Sequence, residues 1–166
     1  MKNKGFSLVE LIIVIAIMAI LVGVMAPQLI KYIEKTNISA DKQLCDSVAS
    51  AITYSMTDCL TNPALDDDSK TQINQIQSGT ACQLVGYDDT TMFALDVSET
   101  LGTPCSSIGF RPLFKSKIAK ANGDMYVQTV SGQVIVWIDG SDATADGQVH
   151  NCTDAADIDE HIICSM

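Results

Sequence analysis

From Phe6 to Ala26 the chain runs FSLVELIIVIAIMAILVGVMA, 21 residues with a single charged side chain, Glu10. As a helix this stretch is about 31 Å long, matching the roughly 30 Å hydrocarbon core of a bilayer. No other feature of the sequence constrains the fold as strongly. The whole chain combines a mean hydropathy of +0.21 with a formal charge of −10 over 166 residues. On the same scale that one run sums to about +58 and the entire chain to about +35, so the remainder is mildly hydrophilic. Apolar and acidic character are therefore segregated, as one membrane helix and one acidic domain of ordinary size. A purely cytosolic enzyme and a multi-span membrane protein are both disfavoured. The acidic balance also argues against a general nucleic-acid binder.

Lys2 and Lys4 precede the apolar run, so the positive-inside rule keeps the short N-terminal end in the cytoplasm and exports everything after Pro27. A cleaved secretory signal is the competing reading. The run is longer than the usual signal core and flows into another helical pattern, which counts against it. Glu10 is the exception within the run. A carboxylate at the bilayer centre costs roughly 2.5 to 3.5 kcal/mol, less near the interface, so Glu10 either snorkels or has a partner.

Lys4-Gly5-Phe6-Ser7-Leu8-Val9-Glu10-Leu11-Ile12, followed by a long apolar helix, resembles the N-terminus of type IV prepilins and the related pseudopilins. The resemblance covers about the first thirty residues. It implies a cut between Gly5 and Phe6 by a membrane-embedded prepilin peptidase, followed by N-methylation of Phe6. Loss of Lys2 and Lys4 with the leader then takes the side-chain charge from −10 to −12. The resemblance also gives Glu10 a partner: the cationic amine of a neighbouring subunit's Phe6 in an apolar filament core, where either charge is expensive alone.

Beyond Pro27 the apolar residues Ile30, Ile33, Leu44, Val48, Ile52 and Cys59, with Asn37, keep a helical spacing. Lys31, Glu34, Lys35, Asp41, Lys42 and Asp46 fall largely off that stripe. One helix from Phe6 to about Leu60 is the economical prediction. Pro27 cannot donate to the carbonyl of Gly23, itself a weak helix former, so a kink or local melting is expected at that turn. The family resemblance implies that Gly23 and Pro27 unwind on packing into the filament; an incidental kink is the other reading.

The remainder predicts an α+β domain, the long helix laid on a small antiparallel sheet. Pro63 and the acids Asp66 to Asp68 end the helix. Short helices are expected over Ser69 to Gln77 and within Asp89 to Leu101, the latter closed by Gly102. Met125 to Val130 and Gln133 to Ile138 flank Ser131-Gly132 as a hairpin, and a last strand is expected near His161 to Cys164. The organisation is then a leader over 1–5, a membrane and polymerisation helix over 6–27, its amphipathic continuation over 28–60 and a head over 61–166.

Six cysteines, Cys45, Cys59, Cys82, Cys105, Cys152 and Cys164, lie in the exported part, where disulfides are permitted. In a continuous helix Cys45 and Cys59 stand about 21 Å apart, beyond the roughly 7 Å bridging limit, so each is expected to staple the helix to the later domain. Reduced, buried cysteines are the alternative. Cys152 and Cys164 are similar to the pair that closes the C-terminal loop of many type IVa pilins.

Asp139, Asp142 and Asp146 sit in a Gly-containing loop that could hold calcium, though the spacing is not that of an EF-hand and a polar turn competes. No other cofactor is expected, and Trp137 reads as core. Arg111, Lys115, Lys117 and Lys120 form a basic run, whereas the last 46 residues hold eight acids and no Lys or Arg. Such segregation suits contacts between subunits, or else two solvated faces. No hydrolase, metalloprotease, P-loop or dinucleotide motif is present, so an enzyme is not expected.

The resulting expectation is a type IV pilin, a membrane-inserted precursor polymerised with itself by the pilus assembly platform into a surface fibre. Adhesion and motility are among the roles such fibres have. A pseudopilin of a secretion or competence system and a minor tip pilin acting as an adhesin are the alternatives. Membrane lipid is a partner before assembly; nucleic acid is not expected to be one.

Overall fold

The computed structural model describes residues 7–84, 90–104, 110–140 and 162–165. It divides into two compact units, Met1–Thr36 and Asn37–Met166. Helix α1, Leu8–Thr61, contributes to both.

In the first unit α1 has no packed face: every residue from Ser7 to Ile33 is exposed. The helix continues through Gly23 and Pro27 without interruption, so the local melting expected there is not seen. A β-carbon at Gly23 would meet nothing within 4 Å.

In the second unit α1 changes character. Asp41, Cys45, Val48, Ala51, Ile52, Ser55, Met56 and Cys59 are buried at the three- and four-residue intervals of one helical face. That face packs on a four-stranded antiparallel sheet of order β1-β2-β3-β4, giving an α+β layout. The strands are β1, Cys82–Gln83, β2, Asp124–Val130, β3, Gln133–Asp139, and β4, Ile162–Cys164. The β2–β3 register pairs Val130 with Gln133 and Tyr126 with Trp137. Ser131 and Gly132 both have positive φ, 52° and 82°, the geometry of a two-residue turn whose twist matches that of the strands.

Alternation along the strands separates two packing clusters. Met125, Val127, Val136, Ile138 and Ile163 join Val48, Ile52 and Met56 of α1 in the main core. Tyr126 and Trp137 form the second cluster, their rings stacked at 5.7 Å and 18°, with Ala81, Ile135 and Cys164 against them. Trp137 is completely buried there.

Among the described residues the short α-helices of this unit are α2, Asp67–Gln77, α3, Met92–Leu101, and α4, Lys117–Asn122. Their N-caps are Asp66, Thr91 and Ser116, each accepting a backbone N–H three residues on. Asp66 also ties α2 to α3, since its carboxylate accepts from Ser69 Oγ at 2.7 Å and from the Met92 N–H at 3.1 Å. These bonds, led by the Ser69 hydroxyl, hold the Asp66 carboxyl below the usual carboxylate range. Gly102, with φ of 65°, closes α3 in the left-handed conformation expected of a glycine after a helix.

Two sequence expectations require correction. Asp41 lies not off the buried stripe but at its start, 1% exposed, where its carboxylate accepts from the Lys115 and Ser116 N–H groups at 2.8 Å each. Two charge-assisted bonds to the backbone compensate the burial of that carboxylate. Cys45 and Cys59 are buried thiols, not staples. The Cys45 thiol donates to the Ile163 carbonyl at 3.7 Å, so α1 is joined to β4 there by packing and a weak hydrogen bond. Burial, followed by the nearby Asp41 and Asp46 carboxylates, pushes the Cys45 thiol pKa far up. Burial, followed by Asp96, raises that of Cys59.

Candidate assembly helix and processing site

Gly5 and Phe6 lie outside the described residues. The chain is first described at Ser7, and Ser7-Leu8-Val9-Glu10 is an S-x-x-E sequence at the entry of α1. The Ser7 N–H donates to Glu10 Oε2 at 3.0 Å, the return half of a capping box. Glu10 therefore turns toward the chain's N-terminal end, where an exposed helix start carries partial positive charge. The spacing was visible in the sequence, and a capping signature was the signal to look for.

From Leu8 onward most side chains are large, apolar and uncovered: Leu8 is 73% exposed, Ile20 68% and Met25 66%. Among the described residues only α1 is long and apolar enough to cross a membrane. A soluble monomer does not leave so large an apolar area facing water; lipid or other protein must cover it. Gly23 and Pro27 sit within this surface and leave the helix intact.

Residues 1–26 match the family model described as the prokaryotic N-terminal methylation motif. The N-terminus is that of a type IV pilin-like or pseudopilin-like prepilin. The motif implies processing by a prepilin peptidase and a membrane-anchored precursor that enters pilus-type filaments. It is a structural motif and carries no catalytic function. No curated protein and no solved structure matches the chain.

The other residues singled out from the sequence are dispersed. Cys45 and Cys59 are inside the main core. The Cys82 thiol, on β1, donates to the Thr80 carbonyl at 3.3 Å. Cys164, on β4, is disulfide-bonded. Cys105 and Cys152 lie outside the described residues. Asp139 is buried at the end of β3, 3% exposed, while Asp142 and Asp146 lie outside the described residues. Among the described residues no three potential metal ligands come together. Of the basic run, Lys117 and Lys120 belong to α4, and Lys115 lies just before its Ser116 cap.

Proposed function

We propose that this chain is the structural subunit of a type IV pilus. The leader 1–5 is removed after Gly5, Phe6 becomes the methylated N-terminus, and residues 6–27 leave the bilayer to pack against their counterparts in a surface filament. The assembly platform in the cytoplasmic membrane drives that transfer. The observation that carries the reading is the methylation motif at the head of a helix whose first 26 residues, Leu8 to Ile33, are all exposed. Lipid tails are as apolar as this helix, so the filament core gains from close van der Waals packing of the helices and from polar pairing between them, and not from removing apolar area from water.

Glu10 sets register. Its carboxylate already bonds to the backbone of Ser7, one residue from the amine that cleavage exposes. In a growing filament it pairs with the cationic Phe6 amine of the adjoining subunit. Gly23 and Pro27 give the helix a turn that unwinds on packing, and Cys152 with Cys164 closes a C-terminal loop on the fibre surface. The acidic unit forms the wetted exterior.

The reading is tested with Glu10→Ala in cells that process the precursor. Mass spectrometry is expected to find the leader removed, and electron microscopy to find no surface fibres. Normal fibres from that variant contradict the role given to Glu10. Short filaments confined to the cell envelope would move the chain to the pseudopilin class, and presence only at fibre tips would make it a minor adhesive pilin.

A further inference from the structure

Alongside α1, at the β2–β3 turn, runs an open groove of about 650 Å³ whose polar lining is Asp46, Ser50, Thr53, Tyr54, Thr57 and Gln133. The three hydroxyls direct their hydrogens back along the helix. Ser50 Oγ donates to the Asp46 carbonyl at 2.9 Å, Thr53 Oγ1 to that of Ala49 at 2.8 Å, and Thr57 Oγ1 to that of Thr53 at 2.9 Å. What they offer a ligand is lone pairs. Tyr54, 62% exposed, adds a ring, Asp46 adds a carboxylate that also has an interaction within its own chain, and among the described residues no lysine or arginine lines the groove. A carboxylate and three hydroxyl lone pairs beside one aromatic face suit a positively charged group with several donors, and the Tyr54 hydroxyl and Gln133 amide can each accept as well as donate. A lysine ammonium fits that description, with three N–H donors, no acceptor and affinity for a tyrosine face.

The same unit presents such groups on α4 and its cap, where Lys115, Lys117 and Lys120 are all exposed. Lys117 and Lys120 are three residues apart and so share a helical face. They stand at the opposite end of β3 from the groove. A β-carbon at Gly140, just past the end of β3, would collide with Ile118 of α4, whereas Gln133, which lines the groove, begins the strand. The two ends of such a strand are roughly 20 Å apart, well beyond the reach of a lysine side chain.

We propose that the groove receives the α4 lysines of a second copy of this chain, an inference that rests on the filament reading above. Two unlike, complementary patches at opposite ends of one strand make a heterologous contact. Repeated without closure, such a contact builds an open filament and not a sealed dimer. The α4 lysines and the groove thus form a head-to-tail register contact between second units, distinct from packing of the apolar portion of α1.

The test uses fibres sheared from cells carrying the full-length chain, treated with a carbodiimide, with peptides mapped from the cross-linked dimer. The expected product is an amide joining Asp46 of one copy to Lys115, Lys117 or Lys120 of another. In parallel, Asp46→Lys alone, and Lys117→Glu with Lys120→Glu, are each expected to cut fibre yield roughly tenfold or more, because like charges meet; the three changes together are expected to recover it. Dimers that join Asp46 to no α4 lysine, or to another protein, overturn the proposal and leave the filament reading standing. The same holds if the combined variant is no better than its parents. Absence of fibres from the unmodified chain overturns both.

Discussion

The two portions of α1 belong to one uninterrupted helix and obey different physics. Up to Ile33 every described side chain is exposed and most are apolar, so among the described residues nothing covers that surface. From Asp41 to Cys59 one face is buried on the sheet, and the other carries hydroxyls that bond back to the helix, such as Thr53 and Thr57. Helical continuity therefore says little about role. What distinguishes a surface meant for lipid or for copies of itself from one meant for its own domain is whether a polar face exists at all.

That contrast can be broken most severely by charge. Ile20→Asp is expected to cost roughly 2.5 to 3.5 kcal/mol in membrane insertion, read as loss of the membrane-bound precursor. Thr53→Asp, on the exposed face of the second portion, is expected to leave insertion unchanged. Apolar truncation should show the reverse. Ile52→Ala, at a fully buried core position, is expected to destabilise the second unit by about 2 to 5 kcal/mol in a denaturant titration. Ile20→Ala should leave that unit's unfolding untouched. A smaller effect is expected from Asp41→Asn, which keeps one acceptor oxygen for the Lys115 and Ser116 N–H groups and turns an amide NH2 toward the other, and which should cost about 1.5 to 3 kcal/mol.

These residues also indicate how much was legible in the sequence. The extent of α1, the β2–β3 hairpin and the end of α3 rest on local signals: an apolar run, a Ser131-Gly132 turn needing positive φ, and Gly102 in the left-handed region. The N-terminal methylation motif was equally legible, because it is contiguous. Asp41 was not, because what makes a buried carboxylate acceptable is a pair of N–H groups far along the chain. Its spacing to Cys45, Val48 and Ile52 was the available clue. Strand β1, only two residues long, owes its existence to pairing with Tyr126 and Val127. Helix α4 was obscured by reading Lys115 to Lys120 as charge alone, although Ser116 is a good cap. The cysteines misled because spacing along a helix excludes a Cys45–Cys59 bridge without requiring any other.

Two weaker effects sharpen the account of the second unit. Cys45 and Cys59 should resist alkylation in the folded protein and react on unfolding, since burial keeps both as thiols. The carboxyl of Asp66 has a folded pKa below its unfolded value, so its contribution to stability is present above the unfolded value. That contribution is lost as pH falls through the folded one. Asp66→Ala should therefore lower the thermal midpoint at neutral pH and flatten its decline in acid, the smallest change of this series.

The central claim, that the apolar portion of α1 is an assembly element exposed by processing, is tested most directly by mass spectrometry of the subunit taken from sheared surface fibres. The account predicts that this chain is their main component and begins at a methylated Phe6. Fibres without it, or a chain in them that still carries residues 1–5, would contradict the account.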